Sequence, residues 1–179
     1  GHAMVLSNLF HNKYRWVVEW GKWIEYKNGV WEITSEEKVA KDATESLHKY
    51  YTQMMSDAQN KNKVGELSKK IKEIWVYSRI TGALSFLKGF SNIKTSSQRL
   101  DAIPGVLNLE NGTLDLETFT LRPHNPEDLL TKQVKARWDT EAKKDEWLKH
   151  LSLFLPNENI QREIQRELGI ALTGLSLDE

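Results

Sequence analysis

Two successive β-hairpins are indicated by residues 103–122, which read Ile103-Pro104-Gly105-Val106-Leu107-Asn108-Leu109-Glu110-Asn111-Gly112-Thr113-Leu114-Asp115-Leu116-Glu117-Thr118-Phe119-Thr120-Leu121-Arg122. Asn-Gly is the strongest short-range signal for a two-residue hairpin turn, because both turn positions need a positive φ. A turn at Asn111-Gly112 predicts that four leucines share one face of the hairpin, with Leu109 opposite Leu114 and Leu107 opposite Leu116.

A second two-residue turn is predicted at Glu117-Thr118. It would set Leu121 against Leu114 and Phe119 against Leu116, so that three strands carry one continuous apolar surface. The other face of these strands is then predicted to be solvated and to carry Asn108, Asp115 and Thr120.

The surroundings of these hairpins resemble a known family. The motif consists of Leu100-Asp101-Ala102-Ile103-Pro104, Leu107-Asn108, Asn111-Gly112-Thr113-Leu114-Asp115-Leu116, Pro123-His124-Asn125-Pro126 and Leu130-Thr131-Lys132. It resembles the phage and plasmid primase family. More closely, it is similar to the poxvirus-type primase-helicase N-terminal-like domain, which sits between a primase module and a superfamily 3 helicase. Residues 23–31 look like that family's W-x-x-Y-x-x-x-x-W hairpin, and residues 147–174 look like its closing helices.

The resemblance implies a non-catalytic connecting or assembly domain of a replicative DNA primase-helicase from a phage, prophage or plasmid in the cytoplasm of a bacterial host. The parent protein is then an ATP-dependent helicase, with ATP and Mg²⁺ held by a domain that follows a segment like residues 171–174. The implied partners are that helicase domain, single-stranded DNA and further copies of the same protein. The phosphate-binding sequence G-x-x-x-x-G-K-[ST] does not occur in this chain, so we expect neither catalytic residues nor a cofactor here.

Composition sets further bounds on the function. With 179 residues, 39% of them hydrophobic, the chain is long enough for a domain with a substantial core. Its 25 basic and 25 acidic residues cancel, so any attraction to nucleic acid must come from a local patch. The absence of cysteine excludes a disulfide scaffold and a thiol nucleophile, and agrees with a reducing compartment. No apolar run approaches the roughly 20 residues of a membrane span, so we expect no membrane partner.

The predicted fold class is α+β, with an antiparallel sheet of hairpins packed against several helices and a C-terminal helical pair. We assign residues 1–4 to a cloning scar, residues 5–142 to the connecting domain, and residues 143–179 to a helical segment that leads to the helicase domain. Helices are predicted at about 35–58, with a capping box at Thr34 and Glu37, around 64–75, after an N-cap at Ser78, at 143–155, and at 157–173 with Asn157 as N-cap and Gly174 as the final stop. Residues 94–99 are predicted to form a loop with a short turn.

Each helix is predicted to carry one apolar stripe. In the first two helices the stripes are Val39, Ala43, Leu47, Tyr50 or Tyr51 and Met54, and then Val64, Leu67, Ile71, Ile74 and Trp75. In the third helix Ile80, Leu84 and Leu87 are predicted to face inward. The stripes of the last two helices are Trp147, Leu148, Leu151 and Phe154, and then Ile160, Ile164, Leu168 and Ala171 or Leu172.

An earlier hairpin is predicted around Asn28-Gly29, which would pair Tyr26 with Trp31 and Ile24 with Ile33. The four tryptophans of this region fit two interpretations, a base-stacking platform or core anchors. We favour core anchors, because so short a hairpin has few other side chains that can bury enough area. The four residues are Trp16, Trp20, Trp23 and Trp31.

A last strand is predicted at residues 131–138, with Val134, Ala136 and Trp138 facing the core and Gln133, Lys135 and Arg137 on the outer face. The candidate nucleic-acid contacts follow from this strand and from the end of the hairpin before it. They are Arg122, Lys135 and Arg137, whose cationic side chains could meet phosphate. The alternative is that these residues are ordinary solvated charges.

The alternative function is a free-standing metal-dependent nuclease or nucleotidyl transferase. Such a site needs carboxylates that converge on two ions about 4 Å apart. The available side chains are those of Asp101, Glu110, Asp115, Glu117 and His124. The predicted hairpins spread them out, so we expect turn-stabilising roles for them and no metal site.

Overall fold

The computed structural model describes residues 1–173. Within this range the chain folds as two compact units, residues 1–100 and the chain from Asp101 onward. Both units contain helices and strands, which confirms the predicted α+β class. The boundary that we predicted between residues 142 and 143 falls inside the second unit. The predicted helix stop at Gly174 lies outside the described residues.

The first unit packs four helices with a four-stranded sheet. The helices are α1 (His2–Phe10), α2 (Glu36–Ser56), α3 (Lys61–Glu73) and α4 (Tyr77–Leu87), and the strands are β1 (Tyr14–Val17), β2 (Lys22–Lys27), β3 (Val30–Thr34) and β4 (Lys94–Thr95). The strand order is β3-β2-β1-β4, and β4 runs parallel to β1.

Two of these elements were not predicted. Helix α1 includes residues 2–4, which we had assigned to a cloning scar. Strand β4 lies where we predicted a loop with a short turn, because two residues are too few to show an alternating pattern. The predicted turn is present as a 3₁₀ helix at Ser97–Arg99.

The turn at Asn28-Gly29 forms as predicted. Both residues have positive φ, 49° and 87°, which asparagine tolerates and glycine adopts without a steric penalty. The register pairs Tyr26 with Trp31 and Ile24 with Ile33, as the sequence indicated. The local sequence therefore sets the pairing of β2 with β3.

Helix α2 buries the predicted stripe, formed by Val39, Ala43, Leu47 and Tyr51. Its N-cap is Ser35, whose Oγ accepts a hydrogen bond from the Lys38 amide at 3.2 Å. We predicted a capping box that begins one residue earlier, at Thr34. Thr34 instead ends β3, where it pairs with Trp23 of β2.

Helices α3 and α4 complete the core of the first unit. Leu67 and Ile74 are buried, and Ile80, Leu84 and Leu87 of α4 face inward as predicted. Trp75, which we placed on the inward side of α3, is 67% exposed. Because α3 ends at Glu73, Trp75 lies in the connection to α4 and does not follow the helical stripe. Helix α4 begins at Tyr77 with Val76 as its N-cap, so the predicted Ser78 cap is also wrong.

A buried carboxylate joins the sheet to α2. Glu25 of β2 is 3% exposed and forms ion pairs with Lys27, at 3.0 Å, and with Lys38 of α2. Burial by itself raises the pKa of Glu25, but the hydrogen bonds from Lys38 and Lys27 outweigh burial and lower the pKa below its ordinary value. Beside this group the Tyr14 hydroxyl donates to Asp42 Oδ2 at 2.7 Å.

We expect Glu25→Gln to lower the free energy of unfolding by about 1–3 kcal/mol at pH 7, because two ammonium groups lose their anionic partner. The folded pKa of Glu25 lies below the unfolded value of about 4.3, so its stabilisation is complete above that pH and is lost as the pH falls through the folded pKa. Urea denaturation should therefore show the gap between parent and variant shrinking below about pH 4. The exposed Glu45→Gln is the control, and a gap that does not change with pH would contradict the prediction.

The second unit contains a three-stranded antiparallel sheet and the C-terminal helical pair. The strands β5 (Val106–Leu109), β6 (Gly112–Asp115) and β7 (Leu121–Arg122) pair in chain order, and a 3₁₀ helix at Pro126–Asp128 follows them. The helices α5 (Asp145–Phe154) and α6 (Glu158–Thr173) lie close to their predicted bounds. The predicted N-cap Asn157 accepts a hydrogen bond from the Asn159 amide at 2.9 Å.

The hairpin of β5 and β6 has a different register from the predicted one. Leu107 lies opposite Leu114, and Leu109 lies opposite Gly112, so Glu110 and Asn111 form the turn. The Asn111 side chain is bound elsewhere: its Nδ2 donates to the Trp138 carbonyl at 2.9 Å and its Oδ1 accepts from the Trp138 amide at 3.0 Å. These two long-range bonds hold Asn111 and override its local turn preference.

Because each partner moves by two residues, the leucines keep the predicted face. Leu109 and Leu114 are buried, whereas Leu107 and Leu116 are half-buried. The opposite face is not solvated at this point: Asn108 is 6% exposed, and its Nδ2 donates to the Lys132 carbonyl at 2.8 Å.

The predicted pairing of Leu121 with Leu114 is confirmed. Phe119, however, does not extend a buried face. It has a φ of 53° and is 63% exposed, and its ring stacks on Trp138 with 6.3 Å between the centroids.

Residues 131–138 do not form the predicted strand and make only one bridge, between Val134 and Leu109. Val134 is 45% exposed and Ala136 is exposed, so their predicted place in the core is wrong, whereas Trp138 is half-buried. In place of a regular pattern of main-chain hydrogen bonds, side chains form several of the bonds between this segment and β5. One example is Gln133 Nε2, which donates to the Leu109 carbonyl at 3.2 Å.

Gly112 is required by the close approach of β7. A Cβ at this position would lie 2.4 Å from the Arg122 carbonyl oxygen and 3.0 Å from Leu121 Cδ1. Gly105 also has a positive φ, 66°, but a Cβ added there would meet open space.

We expect Gly105→Ala to lower the free energy of unfolding by about 1 kcal/mol, because its backbone conformation is unfavourable for alanine. Gly112→Ala should lower it by about 3 kcal/mol or more, because β6 and β7 must also separate. Thermal denaturation compares the two variants, and equal losses would show that β7 can shift freely.

Candidate nucleic-acid interface

Arg122, the first predicted phosphate contact, already has an anionic partner. Its Nη1 lies 2.6 Å from Oδ2 of Asp128, a carboxylate whose side chain is only 10% exposed. This hydrogen bond raises the pKa of Arg122 and outweighs the effect of burial. The pair joins β7 to the 3₁₀ helix at Pro126–Asp128. Arg122 therefore holds the second unit together at this point, and much of its charge is neutralised.

Lys135 and Arg137, the other two predicted contacts, are exposed. Within the described chain neither forms an ion pair with a carboxylate. They lie on the segment beside β5, which is anchored by two main-chain bonds, from the Val134 amide to the Asn108 carbonyl and from the Glu110 amide to the Ala136 carbonyl, both 2.9 Å. The structure thus brings Lys135 and Arg137 together on one short segment and gives Arg122 a different role.

The acidic residues and the histidine of the alternative metal site have local roles. Asp115 accepts hydrogen bonds from the Thr118 and Glu117 amides, at 2.8 and 3.0 Å, which keep the pKa of its carboxyl below the ordinary value. Asp101 binds the Thr131 amide at 2.7 Å, and His124 Nε2 lies 2.7 Å from the Leu109 carbonyl oxygen. Among residues 1–173, no three His, Asp or Glu side chains are grouped so that they could hold a metal ion.

The tryptophans of the first hairpins divide between core and surface. Trp23 and Trp31 are 1% and 2% exposed, as expected of core anchors. Trp16 is half-buried, with Lys88 Nζ 4.2 Å from the centroid of its ring. Trp20, in the turn between β1 and β2, is 44% exposed, and none of the described ring contacts involves it. Of these four tryptophans, only Trp20 is exposed enough to stack on a base.

Beside this turn lies a small surface cavity of about 420 Å³, which we call the Lys94–Arg99 notch. Its lining consists of Val18, Glu19, Ser91, Lys94, Thr95, Ser96 and Arg99. Parallel pairing of β1 with β4 brings these segments together, through a hydrogen bond from the Val18 amide to the Thr95 carbonyl at 3.1 Å. The sequence does not predict the notch, because residues 94–99 read as a loop. Two cations within six residues, close to Ser96 and Ser97, were the available signal.

The C-terminal helices expose most of their apolar side chains. In α5 only Leu151 is buried, and α6 has no buried residue. Most residues of the predicted apolar stripes of both helices are therefore uncovered within the described part of the chain. The side chains that are about half exposed or more are Trp147, Leu153, Phe154, Ile160, Leu168 and Leu172. We call this set the α5–α6 apolar surface.

These observations define a class of protein, an α+β module that carries an apolar surface on its last two helices and separate cationic positions. The chain belongs to the D5 N terminal like family, whose model matches residues 3–156. This family comprises N-terminal domains of primase-helicase proteins of DNA replication, so the resemblance carried by the motif in residues 100–132 is confirmed. The match includes nearly all of the first unit and ends just before α6.

A comparison with the curated proteins found no match. None of the described helices is both long and apolar enough to cross a lipid bilayer.

Proposed function

We propose that this chain is the connecting domain of a DNA primase-helicase from a phage, prophage or plasmid, and that it has no catalytic activity of its own. The match to the D5 N terminal like family over residues 3–156 carries this proposal, because it extends across both units. The parent protein would form a homo-oligomer in the cytoplasm of a bacterial host. ATP and Mg²⁺ would be bound by its helicase domain.

The α5–α6 apolar surface supports a docking role. Leu153 and Phe154 are 73% and 76% exposed, and Leu168 and Leu172 of α6 are about half exposed. An amphipathic helix gains most of its stability by burying its apolar face, and soluble proteins rarely leave large apolar patches in water. We infer that the helicase domain of the same protein covers this surface.

The docking role predicts that the reading frame continues beyond Glu179 into a G-x-x-x-x-G-K-[ST] loop. In that longer protein, Phe154→Ser should lower DNA-stimulated ATP turnover and weaken assembly in analytical ultracentrifugation, because it removes an apolar contact from the docked surface. Phe86→Ser is the matched control, because Phe86 is also a helical phenylalanine, 77% exposed, in the first unit. A reading frame without the loop, or equal effects of the two variants, would contradict the docking role.

We further propose that Lys135 and Arg137 contact the phosphates of single-stranded DNA. Their support is that both are exposed, lack a carboxylate partner within the described chain, and are two residues apart on an anchored segment. Arg122 remains a predicted contact, but its bond to Asp128 competes with phosphate. Contacts of this kind release counterions without reading bases, so binding should be weak, salt-dependent and tolerant of sequence.

Fluorescence anisotropy with a labelled oligonucleotide tests this contact. Lys135→Ala with Arg137→Ala should flatten the slope of log K against log salt by one to two contacts, at about 0.7 per phosphate for single strands. Lys63→Ala with Lys69→Ala removes the same charge from the exposed face of α3 and should leave the slope unchanged. No binding by the parent chain, or the same slope in both double variants, leaves Lys135 and Arg137 without this role.

A further inference from the structure

The Lys94–Arg99 notch combines cations with hydroxyl groups. Lys94 and Arg99 are both exposed, and neither is in an ion pair within the described chain. Ser91 adds an exposed hydroxyl group to the lining. Lysine, arginine and serine are among the side chains that bind phosphate oxygens. The notch is therefore a local cationic patch on a chain without net charge.

The one carboxylate that lines the notch is already bound. Glu19 accepts hydrogen bonds from the Ser96 hydroxyl and the Ser97 amide, both 2.8 Å. These bonds hold the carboxylate against the chain that follows β4, and neither Lys94 nor Arg99 is paired with it. An anion that enters the notch would therefore meet two cations that have no ion-pair partner in the described chain, and one carboxylate whose two oxygens each already accept a hydrogen bond.

Trp20 directly follows Val18 and Glu19, two residues that line the notch, in the turn between β1 and β2. The turn is closed by a hydrogen bond from the Gly21 amide to the Val18 carbonyl at 3.2 Å, and Val18 is in turn bound to Thr95. Gly21 has a φ of 57°, which glycine adopts without strain. The main chain of the turn is thus held on both sides, and Trp20 projects from it with its side chain 44% exposed. An exposed indole near cations that have no ion-pair partner in the described chain suits single-stranded nucleic acid, since bases stack on the ring while cations meet the backbone.

We propose that the Lys94–Arg99 notch and Trp20 form a binding site for single-stranded DNA, in which a backbone phosphate lies between Lys94 and Arg99 and a neighbouring base stacks on Trp20. This inference rests on the proposed function in DNA replication and adds to it a site in the first unit. The site reads no bases, because a phosphate and a ring face are common to every sequence.

Anisotropy titrations of a labelled oligo(dT) of about 15 nucleotides, at several salt concentrations, separate the two contacts. Lys94→Ala with Arg99→Ala should flatten the salt slope by one to two contacts, at about 0.7 each. Trp20→Ala should weaken binding about 5- to 150-fold and leave the slope unchanged, because stacking releases no counterions. Trp20→Phe keeps an aromatic ring and should recover part of the affinity. All these side chains are exposed, and the thermal unfolding midpoint of each variant verifies its fold.

Lys63→Ala with Lys69→Ala is again the control for charge. Oligonucleotide binding by the parent chain that neither the notch variant nor Trp20→Ala changes would overturn this site, while the contact at Lys135 and Arg137 could still stand. A salt slope that falls equally in the notch variant and in the control would also overturn it, because the effect would then be one of net charge. No binding by the parent chain at any salt concentration would overturn this site together with the proposed DNA contact.

Discussion

Both units depend on satisfying the main-chain groups of strands that are only two to six residues long. In the first unit the Arg15 guanidinium donates to the Asn92 carbonyl, and Asn92 Nδ2 donates to the Ser7 carbonyl at 2.9 Å, which joins β1, α1 and the segment before β4. In the second unit Asn111 binds both main-chain groups of Trp138. A buried group left unpaired costs about 1–3 kcal/mol, so these side chains decide where the connecting segments run.

Hydrogen bonds also hold the exposed turn between β1 and β2 in place. Trp23 and Trp31 are used for burial, whereas Trp20 lies in a turn whose neighbours Val18 and Glu19 are bound to the chain around β4. The two successive hairpins of β1, β2 and β3 therefore supply both core and surface. The C-terminal helices differ from this arrangement, because their apolar side chains are largely exposed. Amphipathic helices are thus largely covered in the first unit, whereas in the second unit the described residues leave much of their apolar faces exposed.

The candidate sites were only partly predictable. The sequence indicated Lys135 and Arg137 correctly as exposed cations, but the alternation behind that prediction does not occur, because Val134 and Ala136 are exposed as well. It could not show that Arg122 is paired with Asp128, since that bond depends on how the chain turns after Pro123. Nor could it show that Val18 and Glu19 lie beside Lys94 and Arg99, because the parallel pairing of β1 with the two-residue strand β4 has no periodic signal.

By itself the sequence determined the features that local stereochemistry controls. Asn28-Gly29 adopts positive φ at both positions and sets the register of its hairpin, and spacing at i and i+4 places the buried stripe of α2. Asn111-Gly112 is the same dipeptide with a different outcome. Only the tertiary structure decided that Asn111 would bind Trp138 and that the turn would move to Glu110 and Asn111. The physical reason is that a turn preference is a local energy of about 1 kcal/mol, and two hydrogen bonds to a distant main chain outweigh it.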